Sequence, residues 1–153
     1  MKLNRKPMNV MQRVLLVASL LTLPSLVFAH GGATGATKER MDAMAATKDS
    51  LSQLRSATSS TPVNTELAMS ALNDLQAFSA ELPRLFEEEH LPKISEALPG
   101  IWENAEQFDA ELRFFDAQLN LAKSQLDDTP EQVLRTVAAG CASCHDKFRE
   151  KTQ

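Results

Sequence analysis

The 153-residue sequence predicts an all-α fold, an antiparallel four-helix bundle running up-down-up-down. Apolar residues recur at alternating steps of three and four through four separate stretches, which is the spacing of one helix face. The breaks between these stretches are mostly short, and short loops favour antiparallel neighbours. No alternating strand pattern precedes the cysteine-containing stretch near the C-terminus.

The elements follow in chain order. Lys2, Arg5, Lys6 and Arg13 form a basic segment ahead of an apolar run from Val14 to Phe28, broken by Thr22, Pro24 and Ser25. The run ends in Val27-Phe28-Ala29, with small residues at the two positions that a signal peptidase reads. Residues 1–29 therefore read as a secretory signal peptide cleaved after Ala29. The alternative is a membrane anchor, for which the run is short against a span of ~20 residues and is weakened by Pro24. Residues 30–36 hold three glycines and read as a flexible lead-in, and residues 37–153 read as one domain. Removing the leader takes four of the chain's 16 basic residues and none of its 20 acids, leaving a balance of −8. Such a charge argues against nucleic acid and favours a basic partner or none. No membrane span remains after cleavage.

Met44, Thr47, Leu51 and Leu54 set the inward stripe of a first helix over 37–59. Thr58-Ser59-Ser60-Thr61-Pro62 then reads as a loop. Ala68, Ala71, Leu75, Phe78, Leu82 and Leu85 give a second helix over 64–86, with Pro83 near its end as a possible kink. Residues 87–100 form the longest connection, acidic and carrying Pro92 and Pro99, with one short turn expected around Ile94. Ile101, Ala105, Phe108, Leu112, Phe115, Leu119, Ala122 and Leu126 run without a break as the third helix. Thr129-Pro130-Glu131-Gln132 predicts a fourth helix start, with threonine as cap, proline in the first turn and Gln132 completing a capping box. Its inward stripe is Leu134, Val137, Cys141, Cys144 and Phe148. The aliphatic and aromatic stripes otherwise read as core.

Cys141-Ala142-Ser143-Cys144-His145 has the C-x-x-C-H spacing that attaches a c-type haem. Residues three and four apart share a helix face, so Cys141, Cys144 and His145 point the same way. Each thiol can add to one vinyl group, and the adjacent histidine then stands beneath the iron as a fixed axial ligand. The alternatives are a redox dithiol, a disulfide or part of a metal site. With two cysteines in the chain a four-cysteine zinc site is impossible, and His30 and His90 lie far away in sequence. Export also suits thioether attachment, which happens outside the bacterial cytoplasmic membrane.

The chain resembles the cytochrome c-prime family and its low-spin relatives over nearly all of the segment after the leader. Three features carry the resemblance. The stretch from Gly140 to Arg149 is similar to that family's haem helix. Pro99-Gly100-Ile101-Trp102, with Phe108 six residues on, looks like the start of its third helix. Arg40, followed four residues on by Met44, resembles the arginine and distal-pocket residue of its first helix. The haem motif is shared with many cytochromes, but its C-terminal place in an all-helical chain is what points to this family. The resemblance implies one covalent haem c per chain, with Cys141 and Cys144 carrying the thioethers and His145 as proximal ligand. It implies that Arg40 lies near the haem propionates, Met41 touches the ring, Glu96 lies at the haem edge and Arg149 near the proximal imidazole. Trp102 would serve as packing, and His90 would be exposed.

The sixth coordination position divides the possible functions. In an antiparallel bundle Met44, seven residues after Thr37, lies ~10 Å along the first helix, and His145, eight residues before Gln153, lies ~12 Å from the opposite chain end. The two sit at similar height. A Met44/His145 pair would suit electron transfer at a raised potential. A methionine that merely lines the pocket would leave a five-coordinate iron binding nitric oxide or carbon monoxide, as c-prime proteins do. A haem-free dithiol or metal-binding bundle is the remote alternative. No substrate-turnover constellation is visible, so the chain reads as a non-enzyme in the periplasm with an unidentified redox partner. Family members often dimerise through their first two helices, where Ala68, Ala71 and other small residues permit close packing.

Overall fold

The computed structural model describes residues 32–151. The expected leader, its cleavage point and His30 lie outside these residues. Among the described residues the order is α1 Gly35–Ser59, α2 Thr65–Leu85, a short α3 Gly100–Glu103, α4 Ala105–Gln125 and α5 Pro130–Phe148. The four long helices close a ring, with α1 on α2, α2 on α4, α4 on α5 and α5 back on α1. This is a four-helix bundle. None of the described helices is long and apolar enough to cross a membrane.

Helix ends depart from the sequence reading where local chemistry decides them. α1 starts two residues earlier than expected, where the Lys38 N–H reaches the Thr34 carbonyl at 3.4 Å, and Gly35 at this entry takes φ 55°, a left-handed conformation open to glycine. Asn64 caps α2, its side-chain oxygen accepting from the Leu67 N–H at 3.0 Å. Pro83 sits in the last turn, and the helix continues to Leu85. The third expected helix is divided at Asn104, whose φ of −126° and ψ of 52° are not helical. The Asn104 N–H still reaches the Gly100 carbonyl and the Phe108 N–H reaches the Asn104 carbonyl, both at 3.0 Å, so the apolar period carries across the bend. Asparagine favours such a bend because its side chain competes with helical bonding. Thr129 and Pro130 open α5 as expected, but the capping box does not form. The Thr129 side chain makes no cap bond, and the Gln132 N–H reaches the Thr129 carbonyl at 2.9 Å instead.

The core is in two parts. The larger joins Leu54, Leu72, Leu75, Leu119, Val133 and Val137, each at most 1% exposed. The smaller joins Ile101, Phe108 and Phe148 at the other end of the bundle. Between them the inward stripes of α1 and α5 are half-buried at Met44, Cys141 and Cys144, because these side chains line a cavity. Ala68 and Ala71 are fully buried within the bundle, so they cannot furnish an outer contact between chains, contrary to the sequence reading. Ala46 and Ala77 are the small residues exposed in the groove between α1 and α2.

The connection 86–99 is ordered by what it touches. The Ser95 N–H closes a turn onto the Pro92 carbonyl at 2.7 Å, with Ile94 at the bend. The Leu98 N–H donates to the Phe148 carbonyl at 3.0 Å and the Glu150 N–H to the Glu96 carbonyl at 2.8 Å. These bonds make a single antiparallel bridge between Ala97 and Arg149, which fastens the connection across the end of α5.

Candidate haem site

The cavity between the two core clusters measures about 510 Å³. That lies within the ~300–1,000 Å³ range of ligand clefts. α5 contributes Cys141, Cys144, His145, Phe148 and, just past its end, Arg149; α1 contributes Arg40, Met41 and Met44 from the opposite side. Glu96, from the connection, also reaches the wall. All eight residues singled out as cofactor contacts in the sequence therefore border the same space. Leu75, Phe78, Leu82 and Phe115 make the wall apolar on one side, and Ile101 and Phe108 on the other.

Burial favours the neutral forms of the two thiols and the imidazole on α5. Burial pushes the Cys144 thiol up to about 11, helped by the negative charge of Glu111 and by Cys141. Burial also raises Cys141. A redox dithiol needs the opposite, a lowered pKa such as a helix N-terminus supplies. Here both cysteines are in the C-terminal half of α5, at the negative end of its dipole. His145 is shifted down, first by burial and then by the Arg149 guanidinium, with Asp146 and Glu96 acting the other way. A neutral imidazole keeps the lone pair that an iron ligand must offer.

Arg40 has a more structural setting than the sequence suggests. It is 5% exposed. Its Nε donates to the Leu85 carbonyl at 2.7 Å and its Nη1 to the His90 carbonyl at 3.0 Å. Its Nη2 donates to the Glu88 carbonyl. The guanidinium lies over the rings of Phe86 at 5.0 Å and Trp102 at 5.2 Å. Three of its five N–H donors thus hold the end of α2 and the connection against α1. His90, expected to be exposed, is half-buried, with Nδ1 2.9 Å from the Thr37 hydroxyl. Trp102 packs beside the smaller cluster and donates from Nε1 to the Phe86 carbonyl at 2.8 Å. Arg40→Lys keeps the charge but cannot replace a planar fork. We expect it to lower stability by about 1–3 kcal/mol, the cost of carbonyls left without their donor. Thermal unfolding checks this, and amide exchange should rise along 86–99.

Arg149 pairs with Glu96, Nη2 to Oε2 at 2.6 Å and Nε to Oε2 at 2.7 Å, both half-exposed. One residue was missed in the sequence. Glu111 on α4 is 7% exposed and lines the cavity. It accepts from the Ser143 hydroxyl at 2.6 Å and from the Lys147 ammonium. Its spacing, three after Phe108 and four before Phe115, was the available signal, since it puts a carboxylate on the apolar face.

The residues fit a covalently held macrocycle: two thiols on one wall, a neutral imidazole beside them, a soft thioether on the facing helix, and an apolar space that completes a divided core. Comparison with known proteins agrees. The family model described as cytochrome c′ matches residues 35–149. Cytochrome c-554 of Cereibacter sphaeroides is 32% identical over 98 residues, covering 60% of this chain and 74% of that protein. The fold is similar to R. palustris cytochrome c556, with TM-score 0.65 and 21% identity over 77% of this chain and 98% of that one. It is also similar to a nitric-oxide-bound cytochrome c prime of Alcaligenes xylosoxidans, with TM-score 0.66 and 20% identity over 76% of this chain and 94% of that one. The chain belongs to the cytochrome c′ family, and its cofactor is covalent haem c.

Proposed function

We propose that the protein is an exported one-electron carrier, its haem fastened by Cys141 and Cys144 and ligated by His145 and Met44. The observation that supports this most is that Met44 on α1 and His145 on α5 line the same cavity. When bound, the haem iron supplies one-electron redox chemistry, and a Met/His ligand pair raises its potential. The chain does the rest. Burial favours the neutral imidazole of His145, and the Glu96–Arg149 pair with the Ala97 bridge holds the end of α5 next to it. Phe78, Leu82 and Phe108 make the cavity wall apolar, and Arg40 and Met41 line the space that the cofactor would fill. As a carrier and not an enzyme, the protein needs no general acid or base.

Export to the periplasm, through the leader 1–29, fits this role. The acidic balance suits a basic redox partner, and the small residues Ala46 and Ala77 in the groove between α1 and α2 suit a homodimer packed there. A second reading, reversible binding of a small gas, has one observation in its favour. Met44 borders the cavity beside the apolar Leu75 and Leu82, where a diatomic molecule could replace a thioether. The cytochrome c prime from Alcaligenes xylosoxidans has been solved with nitric oxide bound.

Substitution separates the two readings. Met44→Leu should convert the iron to high spin and open it to carbon monoxide, whereas Met41→Leu should not. If Met44→Leu leaves the spectrum and the rate of carbon monoxide binding unchanged, Met44 is not a ligand and the electron-carrier assignment falls.

A further inference from the structure

A carboxylate at a core-facing helix position is unusual, because burying a charge is costly unless it is paired. Glu111 occupies such a position on α4, and its partners are informative. Ser143 and Lys147 are four residues apart on α5 and flank Cys144 and His145. The carboxylate therefore grips the same helical turn that carries the second thioether and the proximal ligand. It also borders the cavity and acts electrostatically on Cys144.

We infer that the Glu111–Lys147 ion pair sets the reduction potential of the haem, with Glu111 as the positioning residue that supplies a buried negative charge at its proximal wall. This rests on the haem being attached to Cys141 and Cys144 and ligated by His145. The two charges do not cancel. The side chain of Glu111 is 9% exposed and that of Lys147 is 42% exposed. Water screens the ammonium far more than the carboxylate. The residual field is negative and stabilises the oxidised iron, which carries one more positive charge than the reduced form. The Glu96–Arg149 pair is different, because its two members are about equally exposed at 48% and 46% and screen alike.

Opposite shifts test the inference. Redox titration is run on the holoprotein as wild type, Glu111→Gln and Lys147→Gln. Glu111→Gln keeps an acceptor for Ser143 but removes the negative charge, so the midpoint potential rises. Lys147→Gln leaves the carboxylate without its counter-charge, so the potential falls. The double variant lies between the two. A role confined to holding the helices together would move both single variants in the same direction. Shifts of the same sign, or no shift in Glu111→Gln, overturn the inference. If Glu111→Gln does not mature, Lys147→Gln decides alone, and an unchanged or raised potential overturns it. Failure of the underlying haem reading is distinct: the wild type would then lack the added mass of one covalent haem, before any potential is measured.

Discussion

His145→Ala should abolish the native visible spectrum while leaving the haem on the chain. On the proposed attachment, Cys141 and Cys144 hold the haem independently of its axial ligand, so intact mass should still include one haem. What is lost is the nitrogen donor whose neutral form burial favours. Among the described residues the one other histidine is His90. His90 is held at the Thr37 hydroxyl, with its own carbonyl bound by Arg40. The iron of the variant should take water or a stray ligand, and the spin state should change in both oxidation states. Added imidazole should enter the vacated space and bring back a low-spin spectrum. The helices should persist, since Val133, Val137 and Leu119 are packed away from the cavity in the larger core cluster. Absorption and circular dichroism on one sample check both halves. An unchanged spectrum would mean that another residue is the proximal ligand.

The second large effect is structural and lies one residue before the motif. A Cβ on Gly140 would come 2.8 Å from Cδ2 of Phe115 and 3.3 Å from the Phe115 Cα and the Gln118 Cβ. Helices α4 and α5 approach so closely here that only glycine fits. Removing glycine from a helix interior normally gains up to ~1 kcal/mol. Valine forfeits most of that gain through its branched side chain. Overpacking a tight contact costs about 1–3 kcal/mol, so the clash prevails. Gly140→Val should therefore lower the thermal midpoint by several degrees and prise α5 from α4 at the Glu111–Ser143 contact. Because Cys141 follows directly, the yield of covalently loaded protein should fall too. A midpoint equal to that of the wild type would show that the two helices are not pressed together at this point.

Much of this was legible in the residues. The stripe from Ile101 to Leu126 announces a helix on an apolar core, since burial of alternate threes and fours leaves a direct trace in sequence. The C-x-x-C-H spacing likewise announces its chemistry, because the haem fixes how far apart two thiols and a histidine must be. The bend at Asn104 was hidden, since the hydrogen bonds and the apolar period both run through it. The failed capping box at Thr129 was hidden because a cap depends on backbone angles as well as residue type. The function of Arg40 was only half visible. Its place beside the cofactor was implied by the family resemblance, but the carbonyls of Leu85, Glu88 and His90 reach it from about fifty residues away along the chain. Glu111 was half visible in the same way: its spacing put a carboxylate on the apolar face, but its partners are on another helix. The division of the core into two clusters leaves no mark either, because a residue lining a cofactor cavity has the same period as one packed in the core.

The absorption spectrum of the purified wild-type protein in both oxidation states tests the His145 and Met44 pair most directly. We expect a low-spin reduced form with a sharp α-band, slow and weak binding of carbon monoxide, and a sulfur-to-iron charge-transfer band in the oxidised form. A high-spin protein that takes up carbon monoxide or nitric oxide readily would contradict Met44 ligation and leave gas binding as the function of the site.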